Sequence, residues 1–566
     1  MKLVHSSRVE RLARKPEMNY SNLLEQAAAS LSAATEYAAR VRDEVRSRVV
    51  VEGRAKSDLI TREQRAVHGY AWIETTVTAL RSVLDWAVNL NERGAFKTAD
   101  ALAINIAFGE YLSQLASGIP MAQNEFIRPA DLSLSDAALV FLNQNDVAFF
   151  IRTGNSADKR AQLAQLIADG QGISEDLEDD VLAAVREQYR RFTEDKIIPH
   201  AHQWHLENDL IPDKVVSEMA ELGTFGVCIP EEYGGLGLGK LFMCIVTEEL
   251  SRGWIGAGSL GTRSEIAGEL ILSGGTEAQK ENWLPRIASG EVLPTAVFTE
   301  PDTGSDLGSL KTRAKKNSDG NWEITGAKTW ITHAARSDMM TLLARTIPDE
   351  KGYAGLSMVL APKPRGSEDD LFPAAGMTGT EIEVLGYRGM KEYELGLDGF
   401  TVPKDGILGG EEGKGFKQLM ATFEGARIQT AARAVGVAVR ALELGLSYAK
   451  DRKQFGTSII SFPRVSDKIS MMAVDILMSR EVTYFSAREK DKGRRCDIEA
   501  GMAKLFAART AWSNADAALQ IHGGNGYALE YEISRVLCDA RILNIFEGAG
   551  EIQAQVVAKG MLVPRN

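Results

Sequence analysis

The stretch N-I-F-E-G-A-G-E-I-Q at residues 544–553 decides how the rest of this chain is interpreted. It places one carboxylate, Glu547, after the apolar Ile545 and Phe546 and before two small residues. Such neighbours suit a carboxyl group that is partly withdrawn from water, which raises its pKa and makes it a stronger base towards a weak carbon acid. The local sequence therefore predicts either a general base with a raised pKa or, more simply, an exposed Glu beside a helix.

A glycine-rich turn, Q-I-H-G-G-N-G-Y at residues 520–527, lies about two dozen residues earlier. Backbone without side chains can approach a flat ligand closely. Together the two stretches resemble the acyl-CoA dehydrogenase family of flavoenzymes, and the resemblance extends from about Ser174 to the C-terminus. In that family the Glu of the first stretch removes the α-proton of an acyl-CoA thioester, and FAD takes the β-hydride. The resemblance implies that Glu547 is the catalytic base and FAD the cofactor.

Length and composition describe an ordinary globular protein of several domains, with 566 residues, 44% hydrophobic and 25% charged. A net charge of −12 argues against a nucleic-acid binder, which normally has a basic face. Four cysteines without C-x-x-C spacing favour a reducing compartment and no structural metal. Residues 1–6 lack the apolar core of a signal peptide, and no run of eighteen apolar residues predicts a membrane span. We expect a cytoplasmic protein.

Helical patterns dominate both ends of the chain. Apolar residues recur at three- and four-residue steps at Tyr70, Ile73, Val77, Leu80 and Leu84. Segments 23–50, 99–115, 181–196 and 212–222 have similar patterns, and segments 432–450 and 466–491 are long enough to pack in a four-helix bundle.

Residues 296–410 instead show short alternating segments separated by turns. The N-S-D-G signal at 317–320 predicts a hairpin, and segments 341–346, 357–360 and 393–397 predict strands. The resemblance thus implies a mainly helical fold with a central β domain. We expect an N-terminal helical extension at 1–170, a helical domain at 171–295, a β-barrel-like middle domain at 296–410 and a C-terminal four-helix bundle at 411–566.

Two motifs of the predicted β domain, F-T-E-P-D-T-G-S-D at 298–306 and W-I-T at 330–332, line the flavin ring in the family. By themselves they predict a β-turn and a core tryptophan. The resemblance assigns to FAD Phe298, Thr299, Gly304, Ser305, Trp330, Ile331 and Thr332, with Ser305 shared with the substrate. Backbone and hydroxyl donors at this edge of a flavin would stabilise its reduced anion.

A second set of flavin contacts implies an oligomer. The R-K-Q-F-G stretch at 452–456 matches a family motif that reaches the FAD pyrophosphate of the adjacent subunit. Its guanidinium suits a bidentate phosphate contact. The resemblance assigns to this set Arg452, Gln454, Phe455, Gln520, Gly523 and Gly524, with Gly550 and Glu551 beside the base. We expect a homo-oligomer, with a dimer favoured over a tetramer.

The acyl group is expected beside the segment F-E-G-A-R at 423–427, which we predict to begin a helix. The resemblance implies substrate contacts from Phe423, Arg427 and Gly548. Isovaleryl-CoA dehydrogenases carry their base at the place of Ala426, and alanine cannot take a proton, so Glu547 remains the one candidate base.

The helical extension, the W-I-T-H string at 330–333 and L-G-Y-R-G-M-K at 385–391 resemble the branch of the family that oxidises a short branched dicarboxylic acyl-CoA. The expected reaction converts (2S)-methylsuccinyl-CoA to mesaconyl-CoA in the ethylmalonyl-CoA pathway, with electron-transfer flavoprotein as acceptor. Arg263 lies where relatives line the far end of the acyl chain, and it would bind the second carboxylate. Alternatively Arg263 pairs with Glu265 or another carboxylate, and Arg388 is the reserve candidate.

Other functions stay open at this point. The alternative substrate is another short branched acyl-CoA, and an acyl-CoA oxidase would differ only in the access of oxygen. Flavin monooxygenases of this fold do not need a base such as Glu547. A DNA-binding protein of this fold would need a basic terminal surface, which Lys559 and Arg565 do not provide.

Overall fold

The computed structural model describes residues 20–563. Residues 1–6 and Arg565, on which two of the expectations depend, lie outside them. Helices occupy both ends of the described chain and a sheet occupies the middle, so the predicted fold class is confirmed.

The N-terminal extension is a helical unit. The apolar stripe from Tyr70 to Leu84 is buried, which confirms the amphipathic pattern. Its elements are α1 (Ser21–Val49), β1 (Val50–Val51), β2 (Arg54–Ala55), α2 (Ser57–Arg62), α3 (Gln64–Glu92), α4 (Thr98–Ser117), β3 (Ile119–Pro120), β4 (Phe126–Ile127), α5 (Ser135–Leu142), α6 (Asn145–Thr153) and α7 (Ala157–Ala168).

A second group of helices leads to the site. A π-helical turn at Thr193–Ile197 joins the first two of them. They are α8 (Asp180–Phe192), α9 (Ile198–Leu206), α10 (Asp213–Glu221), α11 (Lys240–Gly253), α12 (Ile255–Gly274) and α13 (Glu277–Ala288). Almost all of α12 is buried, including Arg263, because it lies between the other helices and the central sheet.

The central sheet has seven strands: β5 (Pro294–Val297), β6 (Arg313–Lys316), β7 (Trp322–Thr332), β8 (Met339–Arg345), β9 (Leu356–Pro362), β10 (Met377–Ile382) and β11 (Glu392–Val402). They pair in the order β10-β11-β7-β6-β8-β5, with β9 on β8. The register places Glu392, the first residue of β11, opposite Thr332, the last residue of β7. The predicted hairpin at 317–320 joins β6 to β7.

The C-terminal helices form a bundle: α14 (Gly415–Asp451), β12 (Lys453–Gln454), β13 (Thr457–Ser458), α15 (Pro463–Asp491), α16 (Asp497–His522), α17 (Ile533–Ile542) and α18 (Gly550–Leu562). Helices α14, α15 and α16 pack on one another, and α18 packs on α16. The prediction that a helix begins at Phe423 is wrong, because α14 already begins at Gly415 and residue 423 lies inside it.

Candidate active site

Glu547 lies in a short segment between α17 and α18, residues 543–549, which we call the catalytic loop because it carries the predicted base. The backbone φ is positive at two of its residues, 52° at Glu547 and 91° at Gly548. A φ of 91° favours glycine at position 548, and a side chain there would also displace the Gln553 amide. A positive φ at a non-glycine residue is costly and persists only where the surroundings hold it.

Two buried side chains hold the backbone of this loop. The Lys504 ammonium on α16 donates to the Gly548 carbonyl at 2.6 Å, and the Gln553 amide on α18 donates to the same carbonyl at 3.2 Å. Burial lowers the pKa of Lys504 to about 7, although the charge of Glu547 opposes this shift. The loop conformation therefore depends on α16 and α18 together.

The Glu547 carboxylate is largely buried and accepts hydrogen bonds from side chains of two helices. It accepts hydrogen bonds from Arg263 on α12 and from Thr430 and Arg433 on α14, the last at 2.5 Å. Arg433 is fully buried, donates to Ser259 at 3.0 Å and stacks over the Phe546 ring at 4.8 Å. Two guanidinium groups thus compensate one carboxylate in a site that excludes most water.

The prediction of a raised pKa for Glu547 is wrong. Burial raises the pKa, but the charges of Arg433 and Arg263 and the hydrogen bond from Thr430 outweigh burial and lower the pKa to about 2. The local sequence shows only the apolar neighbours, and both arginines come from helices distant in the chain.

Arg263 pairs with Glu547, so of the two pairings considered for it the structure shows the one with a carboxylate other than Glu265. Glu265 instead pairs with Lys240. The reserve candidate, Arg388, donates to the backbone carbonyls of Val384 at 3.0 Å and His205 at 3.2 Å. Of the two arginines considered for the far end of the acyl chain, Arg263 is therefore the one that contacts the candidate base.

The two predicted flavin motifs of the sheet lie side by side. The Thr329 backbone N–H donates to the Thr299 carbonyl at 3.0 Å, and the buried Lys328 ammonium donates to the Phe298 carbonyl at 2.9 Å and to Glu300 at 3.1 Å. Burial lowers the pKa of Lys328 to about 8. These contacts join the end of β7 to the turn after β5.

The exposed groups of this region fit a flat ligand. The Trp330 indole is 56% exposed, although Ile331 and Thr332 beside it are buried. Gly304 and Ser305 are exposed, and among residues 20–563, apart from Gly304 and its two chain neighbours, no atom lies within 4 Å of the place where a Cβ on Gly304 would be. A half-exposed indole beside hydroxyl groups and open backbone suits an aromatic ring system such as a flavin.

The second predicted flavin set lies at the far end of the bundle. Arg452, Gln454, Gln520, Gly523 and Gly524 are all exposed. The ends of α14 and α16 meet there, since Tyr448 stacks on His522 with ring centroids 4.3 Å apart. This end also exposes large apolar side chains, with Phe455 at 95%, Tyr527 at 90% and Leu529 at 71%.

The predicted acyl-side residues Phe423 and Arg427 lie on α14. The Arg427 guanidinium stacks over the Phe423 ring at 5.6 Å. Burial lowers the pKa of Arg427. Gly550 is buried in the first turn of α18, and Glu551 beside it is exposed.

Comparison with known families decides what this arrangement belongs to. Residues 179–291, 295–400 and 413–562 match the N-terminal, middle and C-terminal domains of acyl-CoA dehydrogenases, in that order. The chain belongs to the acyl-CoA dehydrogenase family.

Relatives in this family differ in how much of the chain they match. The (2S)-methylsuccinyl-CoA dehydrogenase of Cereibacter sphaeroides is 57% identical over 524 residues, which cover 92% of this chain and 95% of that protein. A glutaryl-CoA dehydrogenase solved with glutaryl-CoA has a TM-score of 0.64 and 33% identity, covering 69% of this chain and 98% of its own. A glutaryl-CoA dehydrogenase from Mycobacterium smegmatis, solved in complex with FADH2, has a TM-score of 0.62 and 26% identity, covering 68% and 95%. The first match is long enough to include most of the N-terminal extension.

Several residues at the site of this acyl-CoA dehydrogenase were missed by sequence reasoning: Thr430, Arg433, Lys504 and Glu392. A signal existed for the first two, because positions 426, 430 and 433 lie on one face of a helix and Ala426 was already assigned to the acyl pocket. Lys504 and Glu392 reach the site only through the packing of α16 and the register of β11.

Proposed function

We propose that this acyl-CoA dehydrogenase catalyses the FAD-dependent α,β-dehydrogenation of (2S)-methylsuccinyl-CoA to mesaconyl-CoA. The observation that carries the proposal is the contact of Arg263 and Arg433 with the candidate base Glu547. Two buried cations beside one carboxylate leave room in the charge balance for a second carboxylate. The 57% identity to a methylsuccinyl-CoA dehydrogenase supports the same substrate.

In this proposal the bound substrate raises the pKa of the base. The terminal carboxylate of the substrate binds the guanidinium groups of Arg263 and Arg433 in place of Glu547. A guanidinium group is planar and suits bidentate contact with a carboxylate. Glu547 then loses the charges that lower its pKa, whereas its burial remains, so its pKa rises towards the value that a general base needs. A substrate without the second carboxylate would leave the base paired.

The thioester carbonyl is polarised by a backbone donor. Within residues 20–563, no hydrogen bond uses the backbone N–H of Glu547, so it is available to the developing enolate oxygen. Glu547 removes the α-proton and keeps it on its carboxylate. The residues around Trp330 would hold FAD, and the second set around Arg452 would contact the FAD of a neighbouring subunit; bound FAD would accept the hydride from the β-carbon.

We infer that electrons leave through electron-transfer flavoprotein and that the enzyme works as a homodimer in the cytoplasm. All four cysteines are free, which suits a reducing compartment. No helix among residues 20–563 is long and apolar enough to cross a membrane. The exposed Phe455 and Tyr527 support a second copy at that end of the bundle.

The substitution Arg263→Met tests the proposed substrate, measured anaerobically with a dye acceptor. The transition state with methylsuccinyl-CoA should lose about 2–5 kcal/mol of stabilisation, the usual loss when one partner of a buried charge pair is truncated. The uncharged 2-methylbutanoyl-CoA should lose far less or gain, because Glu547 would keep a higher pKa.

Arg388→Met is the matched control, since that guanidinium contacts backbone carbonyls and should not discriminate between the two substrates. Equal losses on both substrates in Arg263→Met would make Arg263 structural and remove the main physical support for a dicarboxylic substrate.

A further inference from the structure

Glu392 is a buried carboxyl group at the site with only one of its oxygens bonded. It begins β11 and is 7% exposed. Its Oε1 accepts the hydroxyl of Thr332, the last residue of β7, at 2.9 Å. Its Oε2 has no hydrogen-bond partner within the described part of the chain. Burying a charged oxygen without a hydrogen-bond partner costs free energy. The Glu392 carboxyl group is therefore either neutral or receives a hydrogen bond to Oε2 from a ligand that enters the site.

The groups around Glu392 come from several elements. The charges of Arg263 on α12 and Glu547 in the catalytic loop act on Glu392, and the charge of Glu392 acts on Tyr387 before β11 and Tyr393 on β11. The neighbour of Glu392 in the chain, Lys391, pairs with Glu381 on β10, and its carbonyl accepts a hydrogen bond from the backbone N–H of His333, which follows β7. Burial raises the pKa of Glu392 to about 7 even though the charge of Arg263 opposes it. The Arg263 Nε and the Tyr387 hydroxyl also lack partners among the described residues.

Charge balance gives Glu392 a role. Arg263 and Arg433 carry two positive charges, and Glu547 with an ionised Glu392 carries two negative ones. A substrate carboxylate entering this cluster would add a negative charge beside the ionised Glu392, which disfavours that ionised form. One proton added to Glu392 removes this repulsion and makes room in the charge balance for the substrate carboxylate.

We propose that Glu392 is a positioning residue that takes up one proton from solvent when a dicarboxylic acyl-CoA enters the site. The inference rests on the proposed function, because it needs a second carboxylate on the ligand. In its ionised form Glu392 accepts a hydrogen bond from the Thr332 hydroxyl. In its neutral form it can donate to the Thr332 oxygen instead, which frees the hydroxyl proton of this predicted flavin-contact residue for another acceptor.

The sign of the pH dependence follows from linkage. An added negative charge raises the pKa of Glu392, so the ligand binds best where Glu392 is already protonated. Above about pH 7 the affinity should fall about tenfold per pH unit, until the raised pKa of Glu392 in the complex is reached. Below pH 7 Glu392 adds no slope, and any remaining slope belongs to the raised pKa of Glu547. The ligand carboxylate itself stays ionised throughout this range.

The experiment uses the full FAD-loaded chain and mesaconyl-CoA, which an oxidised flavoenzyme cannot turn over. The Kd is measured between pH 5.5 and 8.5 from the flavin absorbance, and proton uptake is measured with a pH indicator in weak buffer. We expect the slope described above, with close to one proton taken up per site at pH 8. trans-2-Methylbut-2-enoyl-CoA, with a methyl group in place of the carboxylate, should show neither effect.

Glu392→Gln keeps the shape and the neutral form, so its affinity for mesaconyl-CoA should not fall between pH 7 and 8.5. A wild-type slope that survives in Glu392→Gln would overturn the inference and would point to Lys504, whose pKa also lies near 7. A flat wild-type profile without proton uptake overturns it too, whether or not the variant folds. If mesaconyl-CoA binds no better than its uncharged analogue at pH 6, the proposed dicarboxylic substrate itself fails.

Discussion

At the scale of single residues, the first prediction concerns the base. Glu547→Gln keeps the side-chain shape and can still accept from Thr430, but it cannot take a proton. Turnover should fall by about 10²–10⁴, the usual contribution of a positioned general base. Bound FAD should remain, because the predicted flavin contacts lie mostly on other segments, and flavin absorbance after gel filtration measures this. A flavin-loaded variant with near-wild-type turnover would remove Glu547 from the mechanism.

The same residue shows what the sequence could and could not predict. Glu547 and its motif were recognisable because the family keeps the base, the following glycine and the first turn of α18 in one continuous stretch. Its pKa was not predictable, since the guanidinium of Arg263 lies 284 residues earlier in the chain and that of Arg433 lies 114 residues earlier. Charge partners of this kind are fixed by the packing of α12 against α14, which no local pattern reveals.

At the scale of elements, α14 illustrates why boundaries are harder to predict than helices. Lys414 precedes its first turn and no side chain caps it, so the usual start signal is absent. Gly436 inside the helix weakens its intrinsic propensity, but a side chain there would meet the α11 backbone at 2.2 Å. Close packing against α11 therefore compensates for a residue that by itself argues against a helix.

The catalytic loop gives the prediction at this scale. Lys504→Met removes the ammonium that donates to the Gly548 carbonyl and leaves only the longer contact from Gln553. Losing a buried hydrogen bond costs about 1–3 kcal/mol. If that loss loosens the loop, kcat should fall roughly 5- to 150-fold with little change in KM.

Two further variants separate positioning from general destabilisation. Lys504→Arg keeps a donor and should recover part of kcat. Lys159→Met removes a partly buried ammonium in the extension, where it bonds Asn105 and Thr153, and should leave kcat unchanged. A loss in Lys159→Met equal to that in Lys504→Met would assign the effect to stability alone.

At the scale of the whole molecule, the N-terminal extension covers one face of the C-terminal bundle. A single apolar core combines residues of α1, α3 and α4 with Leu477, Phe506 and Val557 of the bundle. Polar contacts reinforce it, from Tyr111 to Asp475 at 2.7 Å and from Arg160 to Asp467 at 2.8 Å. The extension occupies this face of the bundle. The exposed apolar side chains around Phe455 lie at the other end of the bundle, where they are free to contact a second copy of the chain.

The last prediction therefore concerns assembly. Light scattering should give a homodimer of twice 61.7 kDa, and a tetramer would contradict the idea that the extension occupies a surface used in assembly. If Arg452 reaches the FAD of the partner, Arg452→Ala should weaken flavin retention and dimer stability together. Losing a hydrogen bond to a charged group costs about 1.5–3 kcal/mol, which is roughly a 10- to 150-fold weaker FAD affinity. Lys453→Ala, which removes the same charge from the next residue of the exposed β12–β13 hairpin, should change neither quantity. A variant that releases FAD as an intact dimer would place the Arg452 contact within its own subunit, because only a contact across the interface links the two losses.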